Sequence, residues 1–371
     1  SESLKLIGIT GTNGETTTVT LLYRLFTELG YKCGLLSTIA NFVVDKKVGA
    51  THTTPDPVEI NELLSQMVDC GCEFCFMEVS SHSLDQKRVA GLHFTGAIFS
   101  NITHDHLDYH KTFEEYIRVK KSFFDNLPST AFALVNIDDK NGMVMLQNTS
   151  AKKYTYSCHS PANFNCRIIE KSMDGMLLNI DNREVWTRFI GEHNAYNILA
   201  VYATAVILGA DKEEVLLKLS NMTSVAGRLE YLKGKNNITA VVDYAHTPDA
   251  LENVLKTLRE TARDNKLTTV FGCGGNRDRS KRPEMAEIAA KYSDRIIVTS
   301  DNPRFEDPDE IIKEIKNGFN HDDLSKAIFI TDRKEAIRTA IITASPGEVI
   351  LVAGKGHEDY QDVKGEKHHF D

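Results

Sequence analysis

A chain of 371 residues is longer than one ordinary domain, so two domains are the first expectation. Its 41% hydrophobic and 26% charged residues fit a folded globular protein and exclude a disordered or collagen-like one. The net charge of −9 argues against a nucleic-acid-binding surface, and no apolar run is long enough to span a bilayer. No leader peptide is expected, because the first residues run straight into a strand, and the protein reads as soluble and cytoplasmic. The seven cysteines are an odd number without framework spacing. Cys70, Cys72 and Cys75 crowd together, but a zinc site needs a fourth ligand and usually another spacing. Cys75 also belongs to an apolar run, so buried free thiols in a reducing compartment are the better reading.

The N-terminal part alternates strand and helix. Residues 4–10 form an apolar strand that ends in Gly11-Thr12-Asn13-Gly14. A helix follows, with Leu21, Leu22, Leu25, Phe26 and Leu29 on one face. Residues 57–68 read as a helix, 74–79 as a buried strand, 94–101 as a strand, 113–124 as a helix and 131–136 as a strand. That order implies an open, mostly parallel α/β sheet with helices on both faces. Between 152 and 189 short alternating segments with turn residues predict an antiparallel insertion. Helices are expected over 193–208 and 212–219.

After Gly227 the alternation resumes. Strands are expected at 238–243, 267–271, 295–299, 327–330 and 349–352, with helices starting at Pro248 and Pro283. A second open, Rossmann-like α/β sheet is predicted, and the boundary falls near 223, giving domains 1–223 and 224–371. Open parallel sheets bind ligands beyond the carboxyl ends of their strands. The polar clusters 11–18, 78–82, 101–110, 243–246, 272–279, 301–304 and 354–358 all sit there, which predicts one large site between two domains.

Gly11, Thr12, Asn13, Gly14, Glu15, Thr16 and Thr17 lie between a strand and a helix, where backbone N–H groups form an anion cradle and a threonine hydroxyl suits Mg²⁺. A phosphate loop demands lysine before that hydroxyl, and Glu15 stands there. A plain glycine turn with a capped helix fits the same residues. The stretch from Asn101 to His110 is dense in metal-ligand types. Its histidines suit a binuclear zinc hydrolase, a hydrogen-bonded loop, or, with Glu78, a hard cation held by oxygen ligands. In Asp301-Asn302-Pro303-Arg304 an arginine can fork a carboxylate while an aspartate holds an ammonium, which suits a zwitterionic ligand; a turn before a helix is the alternative. Glu358 is a second candidate ammonium acceptor, although its segment also reads as a glycine-rich strand exit.

Taken together, these motifs resemble the Mur ligases, ATP-dependent amide-forming enzymes of peptidoglycan synthesis. The resemblance rests on residues 11–18, Thr53-Thr54-Pro55, Glu78-Val79-Ser80-Ser81-His82, Asp105-His106-Leu107-Asp108, Gly191-x-His193-Asn194-x-x-Asn197, Gly227-Arg228 and Asp243-Tyr244-Ala245-His246. Residues 301–304 and 354–358 look like the signature of the members that add meso-diaminopimelate to UDP-N-acetylmuramoyl-L-Ala-D-Glu. The resemblance implies that residues 11–17 cradle ATP, with Asn194, Arg228 and Asp243 contacting adenine, phosphate and ribose. It implies Mg²⁺ held by Thr16, Glu78, His106 and a carbamylated Lys120, with Glu78, His106 and Lys120 as the catalytic set. It implies Thr53, Thr54, Ser80, Gln86 and Arg88 at the muramoyl dipeptide, and Arg277, Asp301, Asn302, Arg304, Gly354 and Glu358 at diaminopimelate. A monomer acting on small molecules is expected.

Three departures stand out. The family has lysine where this chain has Glu15, which predicts impaired ATP turnover. The family's N-terminal UDP-binding domain is not among these residues, and the chain stops where relatives continue, so a fragment is expected. A folylpolyglutamate or cyanophycin synthetase type of ligase, or an inactive binding fragment, is the alternative.

Overall fold

The computed structural model describes residues 4–49, 52–103, 107–262 and 264–370. The chain divides into two compact units, Ser1–Thr223 and Ser224–Asp371.

The first unit runs β1 (Lys5–Thr10), α1 (Glu15–Glu28), β2 (Cys33–Leu36), β3 (Asn41–Val43), β4 (Lys46–Val48), α2 (Pro57–Asp69), β5 (Phe74–Glu78), α3 (Ser81–Asp85), β6 (Phe94–Phe99), α4 (Leu107–His110) and α5 (Phe113–Asp125). It continues through β7 (Phe132–Asn136), α6 (Gly142–Met145), β8 (Lys152–Ser157), β9 (Phe164–Ser172), β10 (Gly175–Ile180), β11 (Arg183–Thr187), α7 (Glu192–Ile207) and α8 (Lys212–Asn221). Among the described residues these strands make one sheet in the order β11-β10-β9-β8-β7-β6-β1-β5-β2-β3-β4. Strand β1 lies between β5 and β6, parallel to both.

Side chains alternate across a strand, and β5 shows how this builds two helical layers. Phe74 and Phe76 meet Phe26 of α1, with ring centroids 4.6 and 5.1 Å apart. Cys75 and Met77 join a cluster containing Ile60, Leu63 and Met67 of α2 and Phe123 and Phe124 of α5. Helices therefore cover both faces, as the unbroken apolar strands require. Cys75 is fully buried, and burial pushes its thiol up.

The expected antiparallel insertion is corrected in part. Strand β8 pairs parallel with β7, and β9 pairs parallel with β8, so residues 152–187 extend the main sheet. The chain returns through residues 137–151, which include α6, before β8, and through residues 158–163 before β9, so each strand re-enters in the same direction. Within this stretch β10 is antiparallel to both of its neighbours, β9 and β11. The turn between β10 and β11 uses Asp181 and Asn182 at φ 46° and 67°, the left-handed pair that a two-residue hairpin prefers.

The second unit contains β12 (Glu230–Lys233), β13 (Thr239–Asp243), α9 (Pro248–Ala262), β14 (Leu267–Phe271), α10 (Lys281–Tyr292), β15 (Arg295–Val298), α11 (Pro308–Lys316), α12 (His321–Leu324), β16 (Ala327–Phe329), α13 (Arg333–Ile342), β17 (Val349–Ala353), β18 (Tyr360–Val363) and β19 (Glu366–His369). Its main sheet has the order β12-β13-β17-β14-β15-β16, parallel except for β12. No helix among the described residues is long and apolar enough to cross a membrane.

A buried charge network ties the start of α10 to α11 and to the segment leading into it. Arg282 is completely buried and grips Glu306 through two contacts of 3.0 Å and Glu314 through one of 2.6 Å. The hydrogen bonds from Arg282 hold the Glu306 carboxyl down at about 2, against the opposing effect of burial. An unperturbed glutamate carboxyl titrates near 4.5. The contribution of Glu306 to stability is therefore complete above that pH and is lost as pH falls toward 2. Glu306→Gln should destabilise this unit at pH 7 by on the order of 3 kcal/mol, as breaking a buried pair does. In urea unfolding the difference from the unchanged chain should close between pH 4.5 and 2; a difference that does not vary with pH contradicts the assignment.

Candidate active site

In the first unit the adjacent strands β5, β1 and β6 end together, and their carboxyl ends deliver Glu78, the 11–14 loop and Ser100-Asn101 to one place. The loop is tied down from the β6 side. Thr12 N–H donates to the Asn101 carbonyl (2.9 Å), and Asn13 N–H donates to Asn101 Oδ1 (3.0 Å). The Asn13 carbonyl accepts from Ser100 Oγ and Asn101 Nδ2, both at 2.8 Å. The loop is also braced by α7. Gly14 has φ +94°, and a Cβ there would lie 2.5 Å from Asn197 Oδ1. Asn197 in turn donates to Asn194 Oδ1 at 3.1 Å, and Asn194 donates to the Ile190 carbonyl at 2.8 Å. The spacing of Asn194 and Asn197 is one helical turn, which stacks the two amides on one face.

Lys120 enters from α5 and is 2% exposed. Its Nζ donates to the Gly11 carbonyl (2.5 Å) and to Thr10 Oγ1 (3.2 Å), and it stands 4.0 Å from Glu15 Oε1. Glu15 opens α1, where the positive end of the helix favours an anion. Thr16 and Thr17 are buried in the same first turn. Glu78 is also buried, and its two oxygens accept from Thr38, Oε1 from the backbone N–H at 2.8 Å and Oε2 from the hydroxyl at 3.0 Å.

The residues expected at the dipeptide are drawn together around that carboxylate. Thr53 Oγ1 lies within hydrogen-bond distance of Thr38 Oγ1 (3.1 Å), and Thr54 Oγ1 donates to the Glu78 carbonyl (2.8 Å). Ser80 N–H donates to Thr54 Oγ1, while the Ser80 side chain caps α3. Arg88 Nη1 donates to the Thr54 carbonyl, and Arg88 Nε and Nη2 both donate to Gln86 Oε1. His104, Asp105 and His106 lie outside the described residues. Among the described residues there is no cluster of three His, Cys, Asp or Glu side chains able to hold a metal.

In the second unit, the Arg228 guanidinium lies over the Tyr244 ring, 4.7 Å from its centroid. Asp243 is turned inward: its oxygens accept from the backbone N–H of Leu229 (2.7 Å) and of Ala245 (2.8 Å). Burial raises its carboxyl above the ordinary aspartate range, with Arg228 opposing. A second cluster forms where β14, β15 and β17 end. Asp301 Oδ1 accepts from Asn302 N–H (2.7 Å), and its Oδ2 lies 3.7 Å from the buried Arg333. Asn302 Nδ2 donates to Glu358 Oε2 (2.9 Å). Gly354, at φ +114°, lets Asp301 in, since a Cβ there would be 2.6 Å from Oδ2. Arg304 Nη1 donates to the Gly275 carbonyl (2.9 Å), and Arg277 is exposed nearby on the same loop. A Cβ on Gly274 would lie 2.8 Å from Arg304 Nη1 and 3.8 Å from Arg277 Cγ.

Sequence reasoning passed over Thr38, Arg333 and Lys355. Arg333 opens α13 without any motif. It donates to the Ser300 carbonyl (3.3 Å) and to the Ala353 carbonyl (2.7 Å), which links two site-bearing strands. Lys355 lies inside a segment already singled out, yet only its fold neighbours reveal its partners.

Known proteins fit this arrangement. The Mur ligase middle domain matches residues 9–205, and the Mur ligase glutamate ligase domain matches 227–356. A Cytophaga hutchinsonii protein named UDP-N-acetylmuramoyl-L-alanyl-D-glutamate–2,6-diaminopimelate ligase is 59% identical over the whole chain, which spans 76% of that protein. The Phocaeicola vulgatus protein of the same name is 56% identical over the whole chain and 77% of its own length. A solved structure of a ligase of that name superposes with a TM-score of 0.71 at 35% identity, covering 99% of this chain and 76% of that one. A Mycobacterium tuberculosis folylpolyglutamate synthase complexed with ADP superposes with a TM-score of 0.73 at 18% identity, covering 96% of this chain and 88% of its own, and shares the fold. The chain belongs to the Mur ligase family.

Because Gly14 combines a left-handed backbone with a side-chain contact, Gly14→Ala should cost ~1–3 kcal/mol in thermal unfolding of the first unit. Adding Asn197→Ala should recover only the contact part. Full recovery would show that the backbone is unstrained.

Proposed function

We propose that this chain carries the catalytic units of a ligase that joins meso-diaminopimelate to UDP-N-acetylmuramoyl-L-Ala-D-Glu at the cost of ATP, acting as a cytoplasmic monomer. The observation that carries the amino-acid assignment is the convergence of Asp301, Asn302, Gly354 and Glu358 in one cluster, with Arg304 in the same segment as Asn302 and Arg277 on the adjoining loop that Arg304 contacts. Arginines fork carboxylates and the acids receive ammonium groups, so the cluster suits a ligand with two zwitterionic ends.

A carboxylate is a poor electrophile. The γ-carboxylate of the D-glutamate residue attacks the γ-phosphate of ATP, giving an acyl phosphate and ADP. The amine of diaminopimelate then attacks the acyl carbon and phosphate leaves. With the Thr12 and Asn13 N–H groups engaged by Asn101, the N–H groups at the start of α1 are the ones that would hold phosphate oxygens while negative charge shifts among them. In the first unit Thr53, Thr54, Ser80, Gln86 and Arg88 hold the dipeptide and Asn194 contacts adenine; in the second, Arg228 and Asp243 supply the phosphate and ribose contacts that the resemblance implies.

The donor set fits Mg²⁺: a buried carboxylate at Glu78 and a hydroxyl at Thr16 beside an anion-binding loop are hard oxygen ligands. Bound there with His106, the ion would offset phosphate charge. Lys120 stands where the family carries a carbamylated lysine, and carbon dioxide capping would make it a further oxygen ligand.

Glu15 opposes this chemistry. It occupies the helix N-terminus that a phosphate would use, and it sets an anion beside the phosphates where a lysine belongs. One unit-charge interaction at about 4 Å is roughly 4 kcal/mol at an effective dielectric of ~20. Reversing its sign costs on the order of 8 kcal/mol before screening, and each ~1.4 kcal/mol is tenfold. Glu15→Lys should therefore tighten MgATP binding at least a hundredfold by isothermal titration. It should also raise diaminopimelate-dependent phosphate release. Equal affinities in the two chains would remove the nucleotide reading of this loop.

A further inference from the structure

The second unit holds a buried cation that the assigned ligand set does not use. Lys355 leaves the end of β17, and its side chain is 5% exposed. Its Nζ donates to Asn302 Oδ1 at 2.8 Å and to Glu358 Oε2 at 3.0 Å. Asn302 Nδ2 donates to the same Glu358 oxygen at 2.9 Å. The three side chains close a ring in which each touches the other two. Asn302 Oδ1 also accepts from Asp362 N–H (2.9 Å), which fixes the amide against β18. The Lys355 ammonium also lies over the Tyr360 ring, with Nζ 5.4 Å from the ring centroid.

Burying an ammonium is costly unless its charge and all its hydrogens find partners. A residue kept only to fill that volume would more cheaply be apolar. The ring does something an apolar residue cannot: it engages Glu358 through Oε2 alone. Among the described residues the other oxygen, Oε1, has only the long Tyr244 hydroxyl contact at 3.5 Å. The carboxylate is thereby held in one rotamer with one oxygen committed and the other presented.

We propose that Lys355 is a positioning residue for the amino-acid substrate. It fixes Glu358 and Asn302 so that Glu358 Oε1 meets an ammonium group of the incoming diamine. The proposal rests on the diaminopimelate reading above and adds to it a residue that acts through Glu358. Its energetic effect is preorganisation: the two acceptors do not have to be ordered when the ligand arrives.

The test is titration of meso-diaminopimelate into the full chain, with variants chosen to separate charge from packing. Lys355→Met keeps the buried stem and removes the ammonium; it should weaken binding at least tenfold. Lys355→Arg keeps a donor cation and should stay within about threefold of the unchanged chain. Glu358→Gln should weaken binding, and Lys355→Met added to it should weaken it no further, because the lysine acts through that carboxylate. Thermal unfolding of each variant reads folding separately. Normal affinity in Lys355→Met, or full additivity with Glu358→Gln, overturns the positioning role and leaves the diaminopimelate reading standing. Failure of the unchanged chain to bind diaminopimelate, at concentrations where it is folded, overturns both.

Discussion

The candidate active site of the first unit depends on the parallel register of three strands. Ile9 of β1 pairs with Glu78 of β5, and Thr10 pairs with Phe99 of β6. A shift of one residue would turn every side chain to the opposite face of the sheet. It would remove Glu78 from Thr38 and Ser100 from the Asn13 carbonyl in a single step. The register is secured by alternation in β5, where phenylalanines face α1 and Cys75 and Met77 face α2 and α5. Core packing and the placement of chemistry are thus one constraint. The loop adds no fold of its own; it hangs from Asn101 on one side and is braced by Asn197 on the other.

The second unit places charge by pairing each buried group before any ligand arrives. Arg282 has Glu306 and Glu314, Arg333 has Asp301, and Lys355 has Glu358. Such pairs do little for net stability, because desolvation consumes much of the attraction. What they provide is a single arrangement. Arg333 holds the backbone at Ser300 and Ala353 while facing the Asp301 carboxylate, so the ends of β15 and β17 keep a fixed spacing. Burial lowers the pKa of the Arg333 guanidinium, with Asp301 and Glu358 opposing that shift. These acids therefore stabilise the cation, and on the proposed reading they also offer acceptors to a substrate.

Much of this was legible in the sequence, for identifiable reasons. Strands of five or six apolar residues and helices with three-to-four spacing announce themselves, so β1, α1, β5, β6 and α5 could be read directly. Strands β2, β3 and β4 are three or four residues long and carry no period to detect. The parallel pairings of β7, β8 and β9 were hidden because strand direction is set by connections that carry no strong period: α6, before β8, is four residues long, and residues 158–163, before β9, hold no helix. The site motifs were visible as residue types at strand ends. Their wiring was not: Asp243 reads as a ligand contact, yet both of its oxygens serve the backbone of Leu229 and Ala245. Arg333 and Lys355 had no signal of their own, because a buried cation looks like a surface one until its partners are known.

Glu15 shows how separable folding and chemistry are at such a loop. For folding, an acid at the first position of α1 is favourable: the helix end attracts it, and Lys120 stands 4.0 Å away. Nothing in the β1–loop–α1 geometry asks for lysine there, since Gly11, Gly14, Asn101 and Asn197 set the backbone. For phosphate binding, the same attraction is already satisfied internally, because the helix end and the Lys120 cation both face a carboxylate of the chain itself. On the proposed reading the loop keeps its shape and carries its own anion. Shape and charge were specified by different residues, so one can be reversed while the other persists.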